Sequence, residues 1–205
     1  MRGKFIVIEG GDGAGKDTQI ELLQKEFGNE QWVYTRDPGG TGIGMWMRAL
    51  LQHGDHLSDE TELLLFLASR AQLVSEIIEP VLVSGKNILS NRFELSTYAY
   101  QIYGRQRLAK QELVLKMSAF ARGNTVPDLT ILLDIAPEIG RKRLQARGET
   151  ITRFEAEKIE FHARVREGYL ASAKAYPNVR TIDASRSVAE VYSEVRAAVL
   201  KVIEK

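Results

Sequence analysis

An apolar, β-branched run from Lys4 to Glu9 stops at Gly10 and Gly11, and Lys16 to Phe27 then carries Ile20, Leu23 and Phe27 at helical spacing. This pattern predicts a strand, a glycine loop and a helix. Further apolar runs bounded by turn residues lie at Gln31 to Thr35, Asn87 to Asn91, Leu129 to Ile135 and Val179 to Asp183, separated by helical patterns. Five strands alternating with helices imply an α/β chain: a doubly wound five-stranded parallel sheet flanked by helices. The last helix is the clearest, with Ser187 and Glu190 set as a capping box ahead of Val188, Val191, Val195, Val199 and Val202 on one face. It is expected to pack and to carry no chemistry.

No internal repeat, low-complexity tract or Pro/Gly/Ser-rich linker interrupts the 205 residues, so one domain over 1–205 is expected, with any lid inserted within it. Doubly wound sheets bind ligands at the carboxyl ends of their strands, which directs attention to the loops that follow them. Lys and Arg number 28 against 27 Asp and Glu, so a net charge of +1 offers no whole-molecule attraction to nucleic acid or an anionic membrane, and neither is an expected partner. The absence of cysteine excludes disulfides and thiolate chemistry and fits a reducing interior, which makes the cytoplasm the expected location. The first apolar run, Phe5 to Ile8, is too short for a signal peptide, and no later run approaches membrane-spanning length. His53, His56 and His162 lack metal-ligand spacing and are assigned no role.

Gly10, Gly11, Asp12, Gly13, Ala14, Gly15 and Lys16 spell G-G-D-G-A-G-K, the first seven positions of a P-loop, directly after a strand and opening a helix. Glycines let backbone N–H groups turn inward around phosphates, the helix N-terminus adds positive dipole, and Lys16 brings a full charge to the β- and γ-phosphates. The pattern then asks for Ser or Thr to offer a hydroxyl to Mg²⁺; this chain has Asp17, and Thr18 comes one place late. A P-loop alone leaves kinases, GTPases and motor ATPases open.

From Asp12 onward the sequence resembles thymidylate kinases of the bacterial type along nearly its whole length. Thr35-Arg36-Asp37-Pro38-Gly39-Gly40-Thr41 is similar to the family's T-R-E-P-G-G-T, with Asp37 for Glu, and Arg48 follows where the family has a phosphate-contacting arginine. Phe66 and Arg70 lie four apart in a helical run, with Cβ atoms roughly 5–6 Å from each other. By helix pattern alone Phe66 reads as core and Arg70 as solvated; the ordered neighbouring motifs reverse this. The resemblance implies that Phe66 stacks on thymine and Arg70 donates to its O4, which the amino group of cytosine could not accept. Asn91-Arg92-Phe93 stands at the family's D-R-[YFH] signature, placing Arg92 where donor and acceptor phosphates meet. Ser96 to Gln101 resembles S-[ST]-x-A-Y-Q, which implies that Thr97 and Gln101 face the base, that Tyr100 crowds the position of a ribose 2′-hydroxyl, and that Asp12 serves the acceptor sugar.

Arg141, Lys142, Arg143, Arg147 and Arg153 cluster around Gly148, and R-G-E followed by R-F-E resembles the lid of the bacterial-type enzymes. The lid is expected over about 141–155 and the acceptor-binding helices over about 42–84. Arg147 and Arg153 are the expected catalytic arginines over the γ-phosphate, and Arg143 an ATP contact, since the P-loop carries no arginine of its own. Thr181 to Ala184, ending the last strand, corresponds to the family's loop near adenine. The resemblance implies a P-loop nucleoside monophosphate kinase fold, direct in-line transfer from MgATP to dTMP in dTTP biosynthesis, and a homodimer.

The family's aspartate beside the signature arginine is here Asn91, while Asp17 replaces a neutral hydroxyl near the same ion. The expectation is a carboxylate that has changed sides: Asp17 contacts Mg²⁺ and Asn91 accepts from a coordinated water. Three alternatives stay open on sequence grounds. Asp37 to Gly40 spells the D-x-x-G of a GTPase switch, although no N-K-x-D segment accompanies it. The Asp17 and Asn91 departures allow a nucleotide-binding protein with weak or absent transfer, and dUMP or UMP could replace dTMP, since a methyl is worth only about 1–3 kcal/mol.

Overall fold

The computed structural model describes residues 2–54, 57–148 and 152–204. His56, Glu149 and the centre of the expected lid lie outside them. Strands β1 (Phe5–Gly10), β2 (Trp32–Arg36), β3 (Asn87–Asn91), β4 (Leu129–Asp134) and β5 (Val179–Asp183) form one parallel sheet in the order β2-β3-β1-β4-β5. The expected α/β sheet is therefore present, with strand ends displaced by a residue at most.

Strand β1 lies at the centre and is buried along its whole length. Its alternate side chains serve opposite faces, as a period of two requires. Ile6 and Ile8 pack with Leu23 of α1 (Lys16–Phe27) and Val191, Val195 and Val199 of α9 (Val188–Ile203). Phe5 and Val7 pack with Leu73, Ile78, Leu82 and Phe93 on the other face.

That second face carries the helices that join β2 to β3. Helix α2 (Gly42–His53) is capped by Thr41 Oγ1, which accepts from Gly44 N, and α3 (Asp59–Leu73) by Ser58 Oγ, which accepts from Thr61 N. Helix α3 continues through a π-helical turn, Val74–Ile78, into α4 (Glu79–Val83). After β3, a short α5 (Glu94–Ser96) runs into a π-helical segment, Thr97–Gly104, followed by α6 (Gln111–Arg122). Helix α7 (Pro137–Arg147) follows β4, and α8 (Ile159–Ala175) packs along the π-helical segment.

Thr97 and Gln101, four apart, would share one face of an ordinary α-helix; the backbone instead widens into a π-helix there. Close packing accompanies the change: a Cβ on Gly168 of α8 would stand 2.9 Å from both Ala99 Cα and Tyr103 Cβ. The capping box of α9 is present in both directions, Glu190 N donating to Ser187 Oγ and Ser187 N to Glu190 Oε2. The five strand ends at Gly10, Arg36, Asn91, Asp134 and Asp183 share one edge of the sheet, where the site is built.

Candidate active site

The glycine loop turns tightly because another backbone closes on it. Gly13 has φ +76°, and a Cβ there would stand 2.3 Å from the carbonyl oxygen of Gly140 in α7. Gly140 is bound by the same contact, since its own Cβ would lie 2.4 Å from Asp12 O. Gly15, at φ +87°, turns the chain into α1. Lys16 folds back over the loop, Nζ donating to Gly10 O at 3.1 Å and Gly11 O at 2.8 Å. Burial, with Arg92 beside it, lowers the Lys16 ammonium to about 8. Lys16 is thus a cation held in a place that favours an anion opposite.

A cavity of about 740 Å³ opens in front of the loop. Gly13, Gly15, Lys16, Asp17 and Thr18 line one part, Phe66, Arg70, Thr97 and Gln101 another, with Asp12, Asp37, Arg48, Asn91, Arg92 and Tyr100 between. Gly10, Gly11 and Ala14 support the loop from behind: two lend carbonyls to Lys16 and Ala14 joins the core.

Arg92 is the hub of this cavity. It takes φ +71°, a left-handed conformation that costs a non-glycine residue about 1–3 kcal/mol and points to function. Its Nη2 donates to Asp12 Oδ1 at 2.7 Å and to Tyr100 OH at 3.1 Å; its Nη1 donates to Tyr169 OH at 2.7 Å and Ser96 Oγ at 3.2 Å. Beneath it Glu9, fully buried, accepts from Tyr169 OH, Ser96 Oγ and the amides of Phe93 and Ser96. Burial raises the Glu9 carboxyl above the ordinary range despite Arg92. Burial would raise Asp12 as well, but Arg92 and Lys16 overcome it and hold that carboxyl low. Tyr100 OH donates to Asp12 Oδ2 at 2.9 Å, and His162 Nδ1 stands 4.0 Å from the same oxygen.

Arg48 sits near Arg36 and Arg92; burial and these two charges depress its guanidinium pKa, with Asp17 and Asp37 opposing them. Such a gathering of cations suits a phosphate. At the far end Arg70 is wholly buried. Nε donates to Asp37 Oδ2 at 2.6 Å, Nη1 to Thr97 Oγ1 and Ser118 Oγ, and Nη2 to Phe93 O. Those bonds fix its plane and leave one Nη2 proton for a ligand. Gln101 donates through Nε2 to Glu62 at 2.8 Å, and its buried Oε1 has no partner.

Asn91 Nδ2 donates to Asp17 Oδ1 at 2.8 Å, while Asn91 Oδ1 is buried without a partner. The Asp17 side chain lines the cavity, is 63% exposed, and has Oδ1 3.6 Å from Arg36 Nη2. Among the described residues no group of three or more His, Asp or Glu side chains could hold a metal ion unaided. A carboxylate and a spare amide oxygen side by side fit Mg²⁺, which is commonly held by one or two carboxylates with waters and phosphates supplying the rest.

The lid arginines divide. Arg143 and Arg147 line the cavity; Arg143 Nη1 donates to Ala184 O at 2.9 Å and Arg147 Nη2 to Glu155 Oε1 at 3.2 Å. Arg153 is not among the residues that line the cavity. Its Nη2 donates to Glu62 at 2.6 Å and its Nε to Leu51 O, with its guanidinium over the Phe154 ring. Phe154 and Phe66 meet with centroids 5.7 Å apart. Glu9, Glu62, Ser96, Phe154, Tyr169 and His162 are site neighbours that the sequence reading assigns no role.

A family model for thymidylate kinase matches residues 8–195. The chain is 39% identical to a thymidylate kinase of Legionella pneumophila, covering 100% of this chain and 97% of that one. It is 43% identical to one from Carboxydothermus hydrogenoformans over 96% of each. A crystal structure of thymidylate kinase from Ehrlichia chaffeensis superposes with a TM-score of 0.78 at 30% identity, covering 97% of this chain and all of that one. These matches favour the kinase over the GTPase and non-transferring readings. With an all-parallel P-loop sheet and a cavity running from the loop to a buried arginine, the chain belongs to the thymidylate kinase family, ATP-dependent nucleoside monophosphate kinases that convert dTMP to dTDP.

Proposed function

We propose that the chain phosphorylates dTMP by direct in-line transfer across the 740 Å³ cavity, and the observation that carries this reading is that P-loop and base-end residues line the same space. The loop amides from Gly10 to Gly15 and Lys16 hold the donor phosphates, with Thr18 and Arg143 beside them. Phe66 stacks on thymine, the spare Nη2 proton of Arg70 goes to O4, and the unpartnered Gln101 Oε1 accepts from N3–H, with Thr97 alongside. Asp37 locks Arg70 in that plane. Tyr100 and Asp12 meet the sugar, and Arg48 and Arg92 hold the acceptor phosphate. Positioning and charge stabilisation suffice for phosphoryl transfer, so no covalent intermediate is invoked.

Mg²⁺, when bound with ATP, would neutralise charge building on the phosphates. Asp17 would hold it directly and the Asn91 oxygen through a water, so that the anionic ligand lies on α1 instead of at the end of β3. Arg147, at the cavity rim, is the arginine proposed to close over the γ-phosphate. Arg153 would have to leave Glu62 to join it.

Exposed Leu64 on α3 and Leu113 and Phe120 on α6 support a homodimer through these helices. The same reading takes residues 1–205 as one kinase domain, with its lid inserted, working in the cytoplasm. The test is ADP release from MgATP with dTMP, dUMP, dCMP, AMP and GMP as acceptors. Strongest stimulation by dTMP is expected; equal rates with no acceptor would defeat the proposal.

A further inference from the structure

A carboxylate buried at the base end of the cavity has no part in the reaction as described. Glu62, in the first turn of α3, is 1% exposed. Its Oε1 accepts from Gln101 Nε2 at 2.8 Å and Arg105 Nε at 3.0 Å, and its Oε2 from Arg105 Nη2 at 2.9 Å and Arg153 Nη2 at 2.6 Å. Every partner is a donor.

We propose that Glu62 is a positioning residue for base selection: it fixes the amide of Gln101 so that Oε1, not the NH₂ group, meets the acceptor base. An ionised carboxylate can only accept hydrogen bonds, so the Gln101 NH₂ group must face it and the carbonyl must face away. Burial opposes ionisation of Glu62, yet hydrogen bonds from Arg105 and Gln101 outweigh it and hold its pKa below the ordinary value. Gln101 lines the cavity, and its Oε1 is buried without a partner, a costly state that a ligand N–H relieves. Thymine and uracil present N3–H to such an oxygen. Cytosine presents a lone pair and is repelled. This inference rests on the proposed placement of Gln101 at the base.

The test measures kcat and KM for dTMP and dCMP in Glu62→Gln, Glu62→Asp and Gln101→Leu. Glu62→Gln gives the site both a donor and an acceptor, so the Gln101 amide can turn. Its KM for dTMP should rise and its dTMP/dCMP selectivity should fall about ten-fold, with kcat within about two-fold, the loss expected for one misaligned hydrogen bond. Glu62→Asp keeps an acceptor-only group and the charge on Arg105 and Arg153, so its selectivity should stay within about three-fold of the parent. Equal losses toward both nucleotides in Glu62→Gln, or an equal collapse of selectivity in Glu62→Asp, overturn the proposal. Gln101→Leu separates the two levels: if it leaves selectivity intact, the placement of Gln101 at the base fails. If it abolishes selectivity while Glu62→Gln does not, only the role of Glu62 fails.

Discussion

Asn91 Nδ2 donates to Asp17 Oδ1 across 2.8 Å, joining the end of β3 to the first turn of α1 beside the phosphate loop. Asp17 stands where a P-loop carries Ser or Thr, and the two residues touch. A carboxylate in the first turn of a helix is favoured by the dipole but repels nucleotide phosphates, and Arg36 Nη2, 3.6 Å from Asp17 Oδ1 in an exposed pair, offsets that only in part.

The pair should therefore behave as one unit. Asp17→Thr is expected to raise the Mg²⁺ concentration needed for nucleotide binding, and Asn91→Asp to set a second carboxylate against Asp17 and the nucleotide phosphates; each should lower kcat/KM by about ten-fold or more, and the double variant should recover much of the loss, with a coupling of about 0.5–3 kcal/mol. Titration of nucleotide binding against Mg²⁺ decides it. Additive losses contradict the transposed carboxylate.

Lys16 predicts a pH dependence of donor binding. In the free protein burial and Arg92 hold it at about 8, and a phosphate beside it would favour the charged form and raise it. Affinity is then full below about pH 8 and weakens as pH rises above it, while binding at higher pH takes up a proton. Calorimetry of nucleotide binding at pH 8.5–9, approximately the window just above that value, in buffers of different ionisation enthalpy reads the uptake directly. Binding without proton uptake would contradict the assignment.

Tyr169→Phe removes the hydroxyl that accepts from Arg92 at 2.7 Å and donates to Glu9 at 2.9 Å. Leaving those buried groups short of a partner should cost about 1–3 kcal/mol of stability. Because Arg92 loses a support and not its charge, kcat should fall about ten-fold with KM for ATP little changed. Chemical denaturation and steady-state kinetics on the same preparation test both parts.

Gly13→Ala forces a Cβ to within 2.3 Å of Gly140 O at φ +76°. The loop or α7 must shift, so nucleotide affinity should drop at least ten-fold, and the strain should cost about 1–3 kcal/mol in stability. Gly11→Ala is the control for the stability change, since a Cβ at Gly11 meets no protein atom within 4 Å.

The fold was legible wherever local patterning determines it. The strand before Gly10, the glycine loop and the helix from Lys16 follow from periodicity and loop chemistry, and the capping box of α9 from two residues. Residues recruited through tertiary contact were not. Glu9 reads as the polar end of an apolar strand, and Glu62 as an ordinary first-turn acid complementing the dipole of α3; only the fold buries them against Arg92 and Gln101. The π-helical turn at Thr97–Gly104 spans too few residues for its wider period to be told from 3.6. The resemblance to a bacterial-type lid puts Arg153 at the phosphates, but a basic segment gives charge and not direction. Its docking on Glu62 and Leu51 depends on residues distant in sequence.

A structure with dTMP and a non-hydrolysable ATP analogue bound tests the account most directly. The account predicts thymine against Phe66, O4 within hydrogen-bond distance of Arg70 Nη2, N3 within that distance of Gln101 Oε1, and the 5′-phosphate between Arg48 and Arg92 facing the terminal phosphate held by Lys16. A base lying elsewhere, or an acceptor phosphate turned away from the donor, would contradict it.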